Sequence, residues 1–137
     1  MLKSKALKVA MTLTSLLILY SCFRAKQFVC DFALQSKWIA TTKEQNSKDG
    51  YYALFVHSLI HAAGILAIAV LFNQNLWWLA GVDLIVHGFV DLTKSRIVKH
   101  YGWTSSQTAF WWAIGLDQEL HNFTHIFYIM IFVLASG

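Results

Sequence analysis

Gln27, Asp31 and Gln35 follow one another at four-residue steps, as do His57 and His61, then Asp83, His87 and Asp91, then Asp117, His121 and His125. Four residues is close to one helical turn, so each run lines one helix face. Imidazole and carboxylate donors one turn apart on facing helices are the means by which helical bundles assemble metal sites. The candidate ligands are Asp31, His57, His61, Asp83, His87, Asp91, Asp117, His121 and His125, with His87, Asp91, Asp117 and His121 foremost. That set suffices for one or two ions. Mixed nitrogen and oxygen donors without thiolates select a divalent transition metal such as Zn, Mn or Fe. An acid that does not bind directly would orient an imidazole.

A metal in such a site lowers the pKa of bound water and supplies a nucleophile for hydrolysis. Asp91 and Lys94 are the candidate catalytic residues, with Lys94 one turn beyond Asp91 and placed to hold an anion. Arg24 and Lys26 are expected at the mouth, where they would add to a phosphate site. The substrate class this implies is a lipid phosphate or another amphiphilic ester that enters sideways from the membrane. Gln118 and Glu119 border the region, but their helical angle points them away from the Asp117 face. Two other classes of function compete. A proton or metal carrier would use the same ladders, although no polar path continues below His125. A non-enzymatic interaction protein, for example a phage product that modifies a host envelope, would use them as interhelical hydrogen bonds. His57 with His61 fits either use, and Gln27 and Gln35 fit hydrogen-bonding or capping roles better than ligation. The two longer runs fit metal or proton chemistry better, because so many acids buried without cations would be costly.

The elements that must position these residues follow from composition. The 137 residues are 57% hydrophobic and 13% charged, with a mean hydropathy of +0.50. This reads as one small integral membrane domain over 1–137. Proline is absent and glycines number seven, which suits uninterrupted helices and argues against a barrel. The net charge of +4 comes without a compact basic run, so nucleic acid is not an expected partner; membrane lipid is. A membrane protein partner or a second copy of the chain is compatible with the same composition. Cys22 and Cys30 lie eight apart in the first apolar segment and cannot pair within a helix.

Four stretches approach the length needed to span a bilayer: 8–35, 51–72, 76–93 and 109–135. They predict an all-α, four-helix membrane bundle with short loops and antiparallel neighbours. A polar loop at 36–50, a turn at Asn73-Gln74-Asn75 and a second polar loop at 94–108 join them. The start Lys3, Lys5, Lys8 followed by Val9 to Tyr20 also looks like a secretory signal. The apolar stretch runs on past Arg24 and Lys26 into Phe28 to Leu34, which favours a retained first helix. With alternating directions, every ladder falls in the half of the membrane near the two polar loops, and His125 forms the floor. Trp77 and Trp78 flank the tight turn, while Trp38, Tyr51, Tyr52, Tyr101, Trp103, Trp111 and Trp112 bracket the polar loops as interfacial belts. Eight Lys and Arg lie on the ladder side, against three at the N-terminus, which places the ladder side in the cytoplasm of a cell inner membrane.

The chain also resembles a bacterial and phage membrane family, domain of unknown function 3307. The likeness lies in Asp31-Phe32-Ala33-Leu34-Gln35 with Trp38 and Lys43, in His57 and His61, in His87, Asp91 and Lys94, and in Asp117-Gln118 with His121. The resemblance implies a polytopic membrane protein and membership of these residues in one site, and it implies no particular activity. The resemblance implies a His, common among family members, four residues before the Asp of the first motif, where this chain has Gln27. The resemblance therefore brings no imidazole onto the first helix. A more distant likeness to membrane-bound metal-dependent hydrolases is an analogy of fold alone.

Overall fold

A computed structural model describes the backbone of residues 2–135 and the side chains of residues 13–135. Lys3, Lys5 and Lys8, on which the orientation count and the signal-like start depend, lie outside the described side chains. The described residues are all helical, with no strands among them. The helices are α1 (Leu2–Phe28), α2 (Lys37–Thr42), α3 (Lys48–Phe72), α4 (Leu79–His100) and α5 (Thr108–Leu134).

Several boundaries differ from those read off the sequence, each for a local reason. α1 stops at Phe28, and a single π-helical turn, Val29–Ala33, continues it around Asp31. The expected polar loop at 36–50 contains α2, whose first turn is capped by the Ser36 hydroxyl accepting from the Ile39 N–H at 3.2 Å. α3 begins early because Ser47 caps it, accepting from the Gly50 N–H at 3.0 Å. Gly50 is required at this junction, since a Cβ there would lie 2.1 Å from the Gln45 carbonyl oxygen. α4 runs seven residues beyond 93, to His100. It ends in a Schellman arrangement: Gly102 takes φ +63°, its N–H donates to the Lys99 carbonyl at 3.2 Å, and the Trp103 N–H donates to Val98 at 3.0 Å. The Asn73-Gln74-Asn75 turn is extended by a short 3-10 segment, Gln74–Leu76.

α3 packs on both α1 and α4, and α5 closes the ring against α4 and α1. The pairings give the directions. Asp31 meets His61 and His57 in turn, His87 and Asp91 meet His61 and His57, and Asp83, Asp91 and Lys94 oppose Tyr128, His121 and Asp117. Rising numbers on one helix match falling numbers on its neighbour, so neighbours are antiparallel. α3 and α4 come close where Gly88 faces Ser58; a Cβ at 88 would lie 3.1 Å from the Ser58 hydroxyl.

The interior divides across its length. One half is an apolar cluster of Leu19, Phe23, Ile65, Ile68, Ala69, Leu76, Leu79, Tyr128, Ile129 and Phe132. The other half buries Lys26, Gln27, His57, His61, Asp83, His87, Asp91, Asp117, His121 and His125. Outside, the polarity is reversed: Leu17, Phe55, Leu71, Ile85, Phe89, Trp112, Leu116, Phe123 and Phe127 all face outward. Among the described residues only α3 is long and apolar enough by itself to cross a membrane. The expectation of four such helices meets an obstacle in their charges and imidazoles: Arg24 and Lys26 on α1, Asp83, Asp91, Lys94, Arg96 and Lys99 on α4, and Asp117, Glu119 and two histidines on α5.

Candidate metal centre

Four imidazoles and two carboxylates meet at the middle of the bundle. Asp31, carried on the π turn after α1, places Oδ1 3.0 Å from His61 Nε2 and 3.5 Å from His57 Nε2. π turns widen a helix locally and recur at functional sites, and here the turn carries the only α1-side carboxylate of the cluster. On α4, Asp91 places Oδ1 3.1 Å from His121 Nε2 and Oδ2 3.6 Å from His57 Nε2. His87 Nε2 is 3.9 Å from the same Oδ2. The rings of His61, His87 and His121 stack in sequence, with centroids 3.7 and 4.1 Å apart.

Two groups of donors are compact enough to hold a metal ion: Asp31, His57, His61 and His87, and then His87, Asp91 and His121. Donors bound tetrahedrally at 2.0–2.2 Å sit about 3.3 Å from one another, and the shorter nitrogen–oxygen separations here fall around that spacing. His57 and His87 are 0% and 1% exposed, and neither nitrogen of either ring has a hydrogen-bond partner. Buried polar groups are almost always satisfied. A cation would take one nitrogen of each ring, and the Nε2 atoms of His57 and His87, 3.6 and 3.9 Å from Asp91 Oδ2, are the ones that face the carboxylates.

Of the nine ligands expected from sequence, these six come together, and three are placed differently. Asp117 lies one shell out, 3.4 Å from His121 Nε2 and 3.7 Å from Lys94 Nζ. Asp83 and His125 lie deeper, around Lys26, whose Nζ is 3.5 Å from Asp83 Oδ2, 3.4 Å from His125 Nε2 and 3.1 Å from His61 Nδ1. His125 also packs on Phe23, centroid to centroid at 5.2 Å, so it does form the floor over the apolar cluster.

Lys26 is therefore not at the mouth. It is 8% exposed and supplies the cation that balances Asp83. Arg24 is the more outward of the two and donates to Asn122 Oδ1 at 3.1 Å. Gln27 is buried and donates through Nε2 to Asp31 Oδ2 at 2.8 Å, which fixes the acid at the edge of the cluster. A second lysine, Lys43 just after α2, reaches across to Asp91 Oδ2 at 3.0 Å. Lys94 pairs with Asp117 and with the half-exposed Glu44, at 3.3 Å. Glu119 faces outward, as its helical angle requires.

Beside Lys94 and Asp117 a cleft of about 500 Å³ opens between α4 and α5. Its walls are almost wholly apolar, including Phe89, Ile97, Trp103, Trp112, Leu116 and Leu120, and Lys94 and Asp117 are its charged members.

Residues 13–136 match the family described as Protein of unknown function (DUF3307). The chain belongs to this family. The matched span takes in every residue of the cluster, from Lys26 on α1 to His125 on α5. No curated protein and no solved structure matches the chain. In this DUF3307 member the Gln27 amide supports Asp31 from the first helix.

Proposed function

We propose that this protein is a multi-pass membrane helix bundle of the inner membrane that holds a divalent transition metal in one half of its thickness and hydrolyses an amphiphilic ester such as a lipid phosphate. The observation that carries the metal is the pair His57 and His87, buried with no hydrogen bond at either ring, whose Nε2 atoms stand 3.6 and 3.9 Å from the Asp91 carboxylate. The reversed polarity supports the membrane: a soluble bundle does not bury ten ionisable or amide side chains while turning Phe, Leu and Trp outward on every long helix. Charges on α1, α4 and α5 then face the bundle interior, which lets segments that are individually too polar enter lipid together.

The cleft between α4 and α5 supports an amphiphilic substrate. An acyl chain fits its apolar walls, and the ester head would then lie beside Lys94 and Asp117, next to His121. A bound metal supplies Lewis acidity and an acidified water. Hydrolysis joins the water oxygen to phosphorus and breaks the phosphorus–oxygen ester bond; one water proton passes to the departing alkoxide, and the other stays with the phosphate released. Lys94 would hold a phosphate oxygen, with Glu44 free to swing away because it is exposed. A carrier is less well supported, because Phe23, Tyr128 and Phe132 close the polar half from below.

The test is purified protein in mixed micelles with a short-chain phosphatidic acid, followed by phosphate release. Activity abolished by a chelator, restored by Zn²⁺ or Mn²⁺ and lost in His87→Ala supports the reading. Retention of stoichiometric metal without hydrolysis of any phosphate ester would reduce the proposal to metal binding.

A further inference from the structure

We propose that the cluster holds two divalent cations side by side, with the Asp91 carboxylate bridging them. This rests on the metal-binding reading above and goes beyond it in number and arrangement.

The two donor groups share His87, and Asp91, a member of the second, turns Oδ2 towards the first, where it also meets Lys43 Nζ at 3.0 Å. Towards α1 and α3, Asp31 Oδ1, His57 Nε2 and His61 Nε2 surround one position, with Asp91 Oδ2 3.6 Å from His57 Nε2 to complete it. Towards α5, His87, Asp91 and His121 outline a second position, with His121 Nε2 3.1 Å from Asp91 Oδ1 and Asp117 Oδ1 behind it, 3.4 Å from His121 Nε2. Asp91 thus turns one oxygen to each. His87, stacked between His61 and His121, belongs to both groups and has no hydrogen bond at either nitrogen. One ion would leave one of these sets unused: His57 and His61 on one side, or His121 on the other. A carboxylate presenting separate oxygens to two imidazole sets suits ions about 3.5–4 Å apart, the spacing at which paired metals act on phosphoryl groups.

Charge identifies the ligand such a pair would take. Asp31, Asp83, Asp91 and Asp117 face Lys26, Lys43 and Lys94, a near balance before any ion enters. Two dications leave a positive surplus, and an anion of the phosphate class, arriving through the cleft at Lys94, is what would neutralise it.

The experiment is to load the full chain in lipid nanodiscs with Mn²⁺, remove the excess, and record metal content and the electron paramagnetic resonance spectrum. The pair predicts about two Mn²⁺ per chain and an exchange-coupled spectrum. In Asp31→Asn with His61→Ala, and separately in Asp117→Asn with His121→Ala, it predicts about half that content and an uncoupled six-line spectrum, with helix content checked by circular dichroism. One Mn²⁺ per chain and a six-line spectrum in the unaltered protein overturns the pair and leaves the metal reading intact. No retained Mn²⁺ or Zn²⁺ overturns both. The unaltered protein decides the matter even if a variant fails to fold.

Discussion

Lys26 threads its side chain through the notch left by Gly64: a Cβ at residue 64 would lie 2.7 Å from Lys26 Cγ and 3.1 Å from its Cε. The missing side chain on α3 lets the α1 lysine pass and set its ammonium between His61, Asp83 and His125. Gly64→Ala is expected to cost about 1–3 kcal/mol by overpacking. Shortening the lysine as well, in Gly64→Ala with Lys26→Ala, should remove the clash. A double-mutant cycle on thermal unfolding in detergent checks this; simple additivity of the two changes would show that the notch and the lysine are unrelated.

Asp91, buried, and Lys43, part-buried, form an ion pair between α4 and the end of α2. Asp91→Asn leaves the Lys43 ammonium uncompensated and should destabilise by about 3–5 kcal/mol, much of it recovered by adding Lys43→Met. Metal binding should stay lost in the double variant, since Asp91 also faces His121 and His57. Calorimetry and metal content together separate the two roles. Full metal content in the double variant would remove Asp91 from the ligand set.

Gln27 tests support from outside the cluster. Its amide holds Asp31 Oδ2 while Oδ1 faces the imidazoles. Gln27→Ala should weaken metal binding by about 10–100-fold, the usual cost of losing an orienting partner, with little change in helix content. Competition with a chelating dye reads the affinity, and an unchanged constant would mean that Asp31 is not a ligand.

Much of this arrangement is legible in the residues themselves. Four-residue spacing placed His57 with His61 and Asp83, His87 and Asp91 on single faces, because a helix repeats near that step whatever surrounds it. Asp83 and His125 were grouped with the ligands because spacing reports the face and not the partner, and the partner is Lys26. Lys26 itself gave no signal beyond its charge, since lysine near a helix end ordinarily reads as topology. Lys43 lies 48 residues from Asp91 and outside every ladder, so only the family likeness marked it. The ends of α4 and α3 were missed because a Schellman turn at Gly102 and a Ser47 cap decide them, not hydropathy.

The claim on which the rest depends is that the orphaned imidazoles of His57 and His87 bind a cation. Elemental analysis of the protein extracted from membranes without added metal, beside His57→Ala with His87→Ala, tests it most directly. A stoichiometric divalent transition metal in the first and its loss in the second is the predicted result. A correctly folded, membrane-extracted protein that carries no such metal and takes up neither Zn²⁺ nor Mn²⁺ would contradict it.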